Sequence, residues 1–259
     1  MVFHSPMQRL VLVSVLAAAL AACGGGGAFR ARDYPTPETM MEASKREFRK
    51  GHFAVAKQGF QRVTFEVPTN DPLGGEARYY LGESDFATGD YESAARTFRR
   101  VADDYENHPL AADALLRAGD ALAAVWTKSE LDPTSGEEAL AAYQELTTRF
   151  PNSRAAERVK LRMGDLSDKF AEKQFKAGVF YYRLKAYDSA IIYFRAVVAD
   201  FGQSRWAPLS LVKLVESYQR INYREEVNET CAYLRQYHPG IPDLDELCVQ
   251  AAPPAPPAS

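Results

Sequence analysis

The sequence predicts an all-α fold built from about five helix-turn-helix repeats over residues 37–240. Three observations lead to this prediction. A short pattern recurs: an aromatic residue, alanine three positions later, a second aromatic residue four positions after that, and an apolar residue three further on. Each copy has the periodicity of an amphipathic helix, and no stretch alternates in the manner of a strand. Glycine and proline separate the copies, as they do between helices.

The pattern is complete where it begins at Phe53, Tyr91 and Tyr187, partial around Ala139, and degenerate around Val227. Its alanine position recurs at intervals of 38, 45, 51 and 37 residues. Most copies follow a second helical stretch with a small residue in its middle: Ser44, Gly82, Gly119 and Gly178. Glycine inside a helix costs about 1 kcal/mol relative to alanine. We therefore expect close backbone contact with a neighbouring helix at these positions.

The stretch over residues 80–98, with Gly82 in one helix and Gly89-Asp90 before the next, resembles the tetratricopeptide repeat. This resemblance implies a superhelical solenoid, because one helix pair cannot bury its apolar face alone and its neighbours must stack on it. Some repeats are longer than the usual tetratricopeptide unit. The excess lies mainly in residues 128–135 and 152–169, and we expect loop or helix extension there. Three pairs predict an N-cap followed by proline at the first helical position: Thr36-Pro37, Asp71-Pro72 and Asp132-Pro133.

The N-terminus resembles a bacterial lipoprotein signal peptide, predicted over residues 1–22. A short, positively charged segment precedes an apolar run over residues 10–22, which is shorter than the roughly 20 residues that span a bilayer. The run ends in Leu-Ala-Ala before Cys23, which resembles the lipobox, so Cys23 is the predicted lipidation site. The alternative is an ordinary secretory signal followed by a chance cysteine. Translation from Met1 or from Met7 fits equally well.

Segments without a predicted packed element flank the repeats. Residues 23–36 are predicted to be a lipidated flexible tether, because glycines follow the cysteine. By resemblance to enterobacterial sorting, Gly24 favours the outer membrane, and we expect a lipid-anchored protein on its periplasmic face. Residues 241–259 are predicted to be a C-terminal extension with a disordered Pro/Ala tail.

Composition and motifs indicate a protein without catalytic activity. The formal net charge of −3 over 259 residues argues against nucleic-acid binding. Ser210 and Lys213 match the Ser-x-x-Lys nucleophile motif, but its partner motifs are missing. The histidines lack metal-ligand spacing. We therefore expect no enzyme, no cofactor and no metal. Cys231 and Cys248 either pair, which an oxidising compartment slightly favours, or Cys231 is simply a small buried residue.

Two candidate binding surfaces follow from the repeat class, in which the first helix of each pair lines an inner groove. The candidate substrate groove comprises Met41, Lys45, Phe48, Arg49, Tyr79 and Phe86. The candidate docking surface of the later repeats comprises Phe175, Val179, Tyr182 and Arg183, and Phe180 and Tyr187 form a second stripe beside it. Apolar residues at this spacing are as often core, and that alternative stays open for each. The cations Lys45 and Arg49 favour a groove in the first repeat.

Residues 149–153, 166–175 and 180–187 resemble the fourth-repeat region of the BamD-type outer-membrane assembly lipoproteins. That resemblance implies a non-catalytic scaffold and receptor of the β-barrel assembly machinery. Its N-terminal repeats would bind unfolded β-barrel proteins. Its C-terminal repeats would dock on a POTRA domain of the BamA-type channel, beside other assembly lipoproteins.

The sequence departs from that family at residues 65–72 and at Phe201-Gly202, which affects the expected partner contacts. Two other functions remain open. One is a tetratricopeptide lipoprotein that coordinates cell-envelope, or murein, enzymes. The other is an anchoring subunit for a catalytic partner.

Overall fold

The computed structural model describes residues 33–249, and all its regular elements there are helices. They are α1 (Pro37–Arg49), α2 (Phe53–Glu66), α3 (Pro72–Ala87), α4 (Tyr91–Asp104), α5 (Ala111–Val125), α6 (Thr134–Arg149), α7 (Arg154–Arg183), α8 (Tyr187–Asp200), α9 (Trp206–Arg220), α10 (Arg224–Tyr237) and α11 (Leu244–Val249). The first ten helices form five consecutive helix-turn-helix pairs. The predicted all-α, tetratricopeptide-like fold is therefore confirmed.

The chain divides into two compact units, with the boundary between Ala111 and Ala112. The first unit holds α1 to α4, and the second holds nearly all of α5 and the helices after it. Within residues 33–249, no helix has both the length and the apolar character that a membrane crossing requires. Cys23, the signal peptide of residues 1–22 and the Pro/Ala tail from residue 250 onward lie outside the described residues.

Small residues of the first helix face large residues of the second, as the sequence predicts. At three glycines, an added Cβ would lie less than 3.0 Å from a ring of the paired helix: Gly82 against Phe98, Gly119 against Tyr143, and Gly178 against Phe194. The fifth pair reverses the sizes at the spacing of Gly82–Phe98 and Gly178–Phe194, with Val215 in the glycine position and Cys231 in the aromatic position, both buried. The pairs thus keep their packing by conserving combined volume.

In four of the five described pairs, the turn between the paired helices contains one residue in the left-handed region. Gly51 and Gly89 adopt a φ of 80° there, and Lys185 and Asn222 adopt a φ of 61° at the corresponding position of later pairs. Glycine reaches this region without steric cost, whereas a side chain is strained there. The same local geometry therefore recurs whether or not the sequence supplies glycine.

Two of the three predicted helix starts are confirmed. Thr36 caps α1 and Asp71 caps α3, each followed by proline in the first turn. The prediction at Asp132 is wrong by one residue, because α6 begins at Thr134, after Pro133. The Asp132 carboxylate still accepts a hydrogen bond from the Thr134 backbone N–H at 2.8 Å.

The two long insertions take different forms. Residues 154–183 form the single 30-residue helix α7, so most of the excess at residues 152–169 is helix extension. The excess near residues 128–135 is mainly a loop before α6, and three lysines of α7 bind it. Lys169 donates to the Trp126 carbonyl, Lys173 donates to the Leu131 carbonyl at 2.8 Å, and Lys176 lies 2.6 Å from the Glu130 carboxylate. Spaced one helical turn apart, these ammonium groups hold the loop along the helix.

Both ends of the described chain pack on the repeats. Tyr34 packs against the core of the first pair, so the folded part begins inside the predicted 23–36 tether. At the other end, a disulfide joins Cys231 of α10 to Cys248 of α11, with the two Cα atoms 5.8 Å apart. Leu244 is buried in the same core. The first part of the 241–259 extension is thus a folded cap.

Candidate protein-binding surfaces

The first unit places the predicted groove residues in different environments. Met41 is only 1% exposed and belongs to the core with Ala56, Phe60 and Val63. Its groove assignment is therefore corrected, since a side chain without accessible surface cannot contact a partner. Arg49, one turn beyond Lys45 along α1, is exposed.

Lys45 is a partnered cation rather than an open one. Its ammonium lies 2.7 Å from Glu76 and 3.3 Å from Glu42, and 5.7 Å from the centre of the Tyr80 ring. Burial lowers the pKa of Lys45, but the hydrogen bonds and charges of Glu76 and Glu42 together outweigh burial, so its pKa is raised overall. A partner's carboxylate would have to compete with Glu76 for Lys45. Arg49 is the more available cation.

The three groove aromatics contact different rings. Phe48 packs edge-on against Tyr80 at 5.6 Å and against Phe53 at 5.1 Å. Tyr79 packs against Phe98 at 5.5 Å, and Phe86 packs against Tyr91 at 5.0 Å. All three predicted residues keep part of their surface exposed.

Tyr80, which links Phe48 to the second pair, was not among the predicted groove residues. The signal was present, because Leu73, Ala77 and Tyr80 follow one another at helical spacing and form one apolar stripe of α3. That stripe packs on the core of the first pair.

In the second unit, the predicted docking stripe mostly packs inward. Phe175 contacts Phe194 at 5.7 Å and Trp206 at 5.0 Å, and Val179 packs on the same core. Both residues are partly buried by these contacts and keep some exposed surface, so their role as a partner surface stays a prediction. Tyr182 is half-buried against Tyr187 at 5.4 Å, and Arg183 is exposed.

Of the second predicted stripe, Phe180 is exposed, whereas Tyr187 packs against Tyr182 at the start of α8. Phe180 is 58% exposed and Leu184 is 61% exposed, and Arg183 lies between them in sequence. Phe180 packs edge-on against Tyr181, whose ring stacks on Tyr193 of α8 at 5.2 Å. We call Phe180, Tyr181, Leu184 and Tyr193 the apolar ridge. Because large apolar side chains are exposed side by side, the ridge suits contact with another protein.

A groove lies at the C-terminal end of the second unit, with a volume of about 820 Å³. We call it the C-terminal groove. Its lining comes from α7, α9 and the cap: Tyr182, Val212, Glu216, Gln219, Arg220, Pro242, Asp243, Glu246 and Leu247. A hydrogen bond with Tyr182 raises the pKa of Arg220. Tyr182 thus belongs to the groove, whereas its neighbour Arg183 accompanies the ridge.

The remaining polar features show no reactive arrangement. A cleft of about 680 Å³ between the loop and α7 is lined by equal numbers of acidic and basic side chains. Ser210 is fully buried, and Lys213 pairs with Glu216 at 2.6 Å, so the Ser-x-x-Lys pair presents no accessible nucleophile. Across residues 33–249, no cluster of three or more His, Cys, Asp or Glu side chains could hold a metal ion.

Comparison with known proteins gives consistent matches. The family model YfiO, described as outer membrane lipoprotein, matches residues 34–234. The outer membrane protein assembly factor BamD of Neisseria meningitidis (strain Z2491) is 26% identical, covering 92% of this chain and 94% of that protein. BamD of Caulobacter vibrioides is 31% identical over 109 residues, which span 42% of this chain and only 36% of the relative. A solved TPR protein of Thermus thermophilus aligns over 83% of this chain with 17% identity and a TM-score of 0.37.

Proposed function

Because the chain belongs to the YfiO family of outer membrane lipoproteins, we propose that it is a non-catalytic scaffold and receptor of the outer-membrane β-barrel assembly machinery. The observation that carries this proposal is the family match over residues 34–234, which spans nearly all of the five helix pairs. The relatives named above are outer membrane protein assembly factors. A helical repeat with exposed apolar side chains suits binding of other proteins.

We propose that Cys23 carries the lipid anchor and that residues 1–22 are the signal that directs it. The protein then sits on the periplasmic face of the outer membrane, with the repeats held by the residues after Cys23. The apolar run and the Leu-Ala-Ala-Cys sequence support this proposal, as does the family description.

We propose that the second unit docks on a POTRA domain of the BamA-type channel. The contact would use the exposed side chains at the end of α7, namely Phe180, Leu184 and Arg183, together with the accessible part of Tyr182. Apolar contacts at the centre and a cation at the edge are typical of protein interfaces. Other assembly lipoproteins of the machinery are further candidate partners.

We propose that the first unit receives unfolded β-barrel proteins. A strand ending in an aromatic residue with a free carboxylate needs an apolar surface beside a cation. Phe48, Tyr79 and Phe86 keep exposed surface for the ring. Arg49 can pair with the carboxylate bidentately, whereas Lys45 is already held by Glu76.

The test is co-purification from detergent-solubilised membranes with the full chain as bait. We expect the BamA-type channel at a stoichiometric level, and loss of the channel from the Phe180→Ala, Leu184→Ala double variant. The control is Leu161→Ala, since Leu161 is 76% exposed on the same helix. Recovery of murein enzymes instead would favour the cell-envelope coordinator. Recovery of one catalytic partner without the channel would favour an anchoring subunit.

A further inference from the structure

One wall of the C-terminal groove is the cap, which contacts within the chain hold in place. The cap is tied to α10 by the Cys231–Cys248 disulfide. It is also tied to α9, because the Gln219 side-chain amide donates to the Leu247 carbonyl at 2.8 Å. Leu244 of the cap is itself buried in the core. A preformed cavity of this kind loses little conformational entropy when it binds a ligand.

Some charged side chains at this groove have an ion-pair partner and others have none among residues 33–249. The Lys213 ammonium lies 2.6 Å from the Glu216 carboxylate, so this cation is ion-paired, whereas Arg220 has a hydrogen bond to Tyr182 and keeps its positive charge. The cap side carries Asp243 and Glu246, which are exposed and form no ion pair within residues 33–249. The two carboxylates along the cap therefore outnumber the one cation without an ion pair, Arg220, and the negative side of the groove is the cap.

The apolar part of the groove lies beside those carboxylates. Val212 comes from α9 and Leu247 from the cap, and both line the same cavity as the Tyr182 ring. An arginine side chain has an aliphatic stem that packs on apolar surface and a planar charged end that stacks on rings and binds carboxylates. Its shape and charge match this combination.

We propose that the C-terminal groove binds an arginine side chain from an extended segment of a partner protein. The stem lies along Val212 and Leu247, and the guanidinium reaches Asp243 and Glu246. The positive charge of Arg220, on the opposite side, directs the incoming cation toward the cap. This site does not include the apolar ridge, shares only Tyr182 with the proposed channel contact, and does not depend on the barrel-assembly function.

The disulfide contributes to this binding, because it holds α11, which carries Glu246 and begins directly after Asp243. Without it, the cap is held by a backbone hydrogen bond from Ile241 to His238, a hydrogen bond from Gln219, its apolar contacts and the exposed pair of Arg235 and Asp245, whose charged atoms are 3.6 Å apart. Exposed pairs of this kind contribute little. Loss of the disulfide therefore loosens one wall of the groove and leaves the α7 and α9 wall in place.

The test measures fluorescence anisotropy with the purified full chain and a labelled peptide that carries one arginine between two leucines. A matched peptide carries citrulline, which has a similar shape and no charge. We expect the arginine peptide to bind about tenfold more tightly. The Asp243→Asn, Glu246→Gln double variant should remove that difference, because both exchanges are nearly isosteric and affect exposed residues.

Asp245→Asn is the control, since Asp245 lies on the same cap but does not line the groove. It should keep the preference for arginine. Equal binding of the two peptides, or an equal loss in the Asp245→Asn variant, would overturn the site. A Cys231→Ser, Cys248→Ser variant should weaken the arginine peptide several-fold while its helical content is retained. Unchanged affinity there would overturn the role of the cap.

Discussion

At the scale of single residues, glycine is favoured at one position of this chain and is less favourable than alanine at another. Gly89 sits in a turn at a φ of 80°, where it meets the left-handed backbone without strain. Gly164 lies inside α7 in the open, and an added Cβ would meet no neighbouring atom. The same substitution at the two sites should therefore change stability in opposite directions.

Gly89→Ala should destabilise the protein by about 1 kcal/mol, because a side chain is strained in the left-handed region. Gly164→Ala should stabilise it by about 0.5–1 kcal/mol, because alanine is the better helix former. The measurement is urea-induced unfolding followed by circular dichroism. Equal shifts of the midpoint in one direction would contradict the turn geometry.

Phe48 both packs in the core and offers surface to a ligand, so its substitution can test for a role in binding. It packs on Phe53, Phe60 and Tyr80 and keeps part of its surface exposed. Phe48→Ala should weaken binding of a labelled peptide that ends in an aromatic residue with a free carboxylate by about 30-fold.

Met41→Ala supplies the control for that measurement, since Met41 is buried in the same core and offers no surface to a ligand. It should lower stability by about 2–5 kcal/mol and leave the affinity of the folded protein unchanged. Similar affinity losses in both variants would mean that Phe48 acts only through packing.

At the scale of elements, an ion pair helps to hold the inserted loop to α7. The Glu130 carboxylate lies 2.6 Å from Lys176, and this hydrogen bond is the main reason that the pKa of Glu130 falls from 4.5 to about 2. A carboxyl group with a depressed pKa contributes stability above its unfolded value and loses it as the pH falls. The loop contact should therefore weaken between pH 4.5 and about 2.

The prediction is a carboxyl-carbon titration of Glu130 by nuclear magnetic resonance with a midpoint near 2. Lys176→Met should move the midpoint upward, because it removes the main cause of the shift. Lys160→Met is the control, since Lys160 is exposed on the same helix and lies outside the cleft. An unchanged midpoint in the Lys176→Met variant would contradict this account of the loop.

At the scale of the whole molecule, the proposed location depends on residue 23. Cys23→Ala should abolish palmitate labelling and shift the protein from the membrane fraction to the soluble periplasm, since it removes the acceptor thiol. Cys231→Ser should keep the label, because Cys231 is buried and joined to Cys248. Labelling and fractionation that persist in the Cys23→Ala variant would refute the lipid anchor.

The sequence by itself determined the repeating helix pairs, the small residues at their contacts and the family. These features depend on local spacing and on pairs at a fixed distance along the chain, such as Gly178 and Phe194, so periodicity reveals them. The sequence also predicted two of the three helix starts correctly, because a cap involves only neighbouring residues.

Only the tertiary structure decided which faces are open. The sequence of α7 predicts two stripes of large residues, but periodicity does not tell which one the next helices cover. Trp206 and Phe194 cover Phe175, and Phe180 stays exposed. In the same way, Lys45 is a candidate groove cation until Glu76 is found beside it. Such pairings depend on how helices pack across long sequence separations, because side chains from different helices compete for the same space and charge.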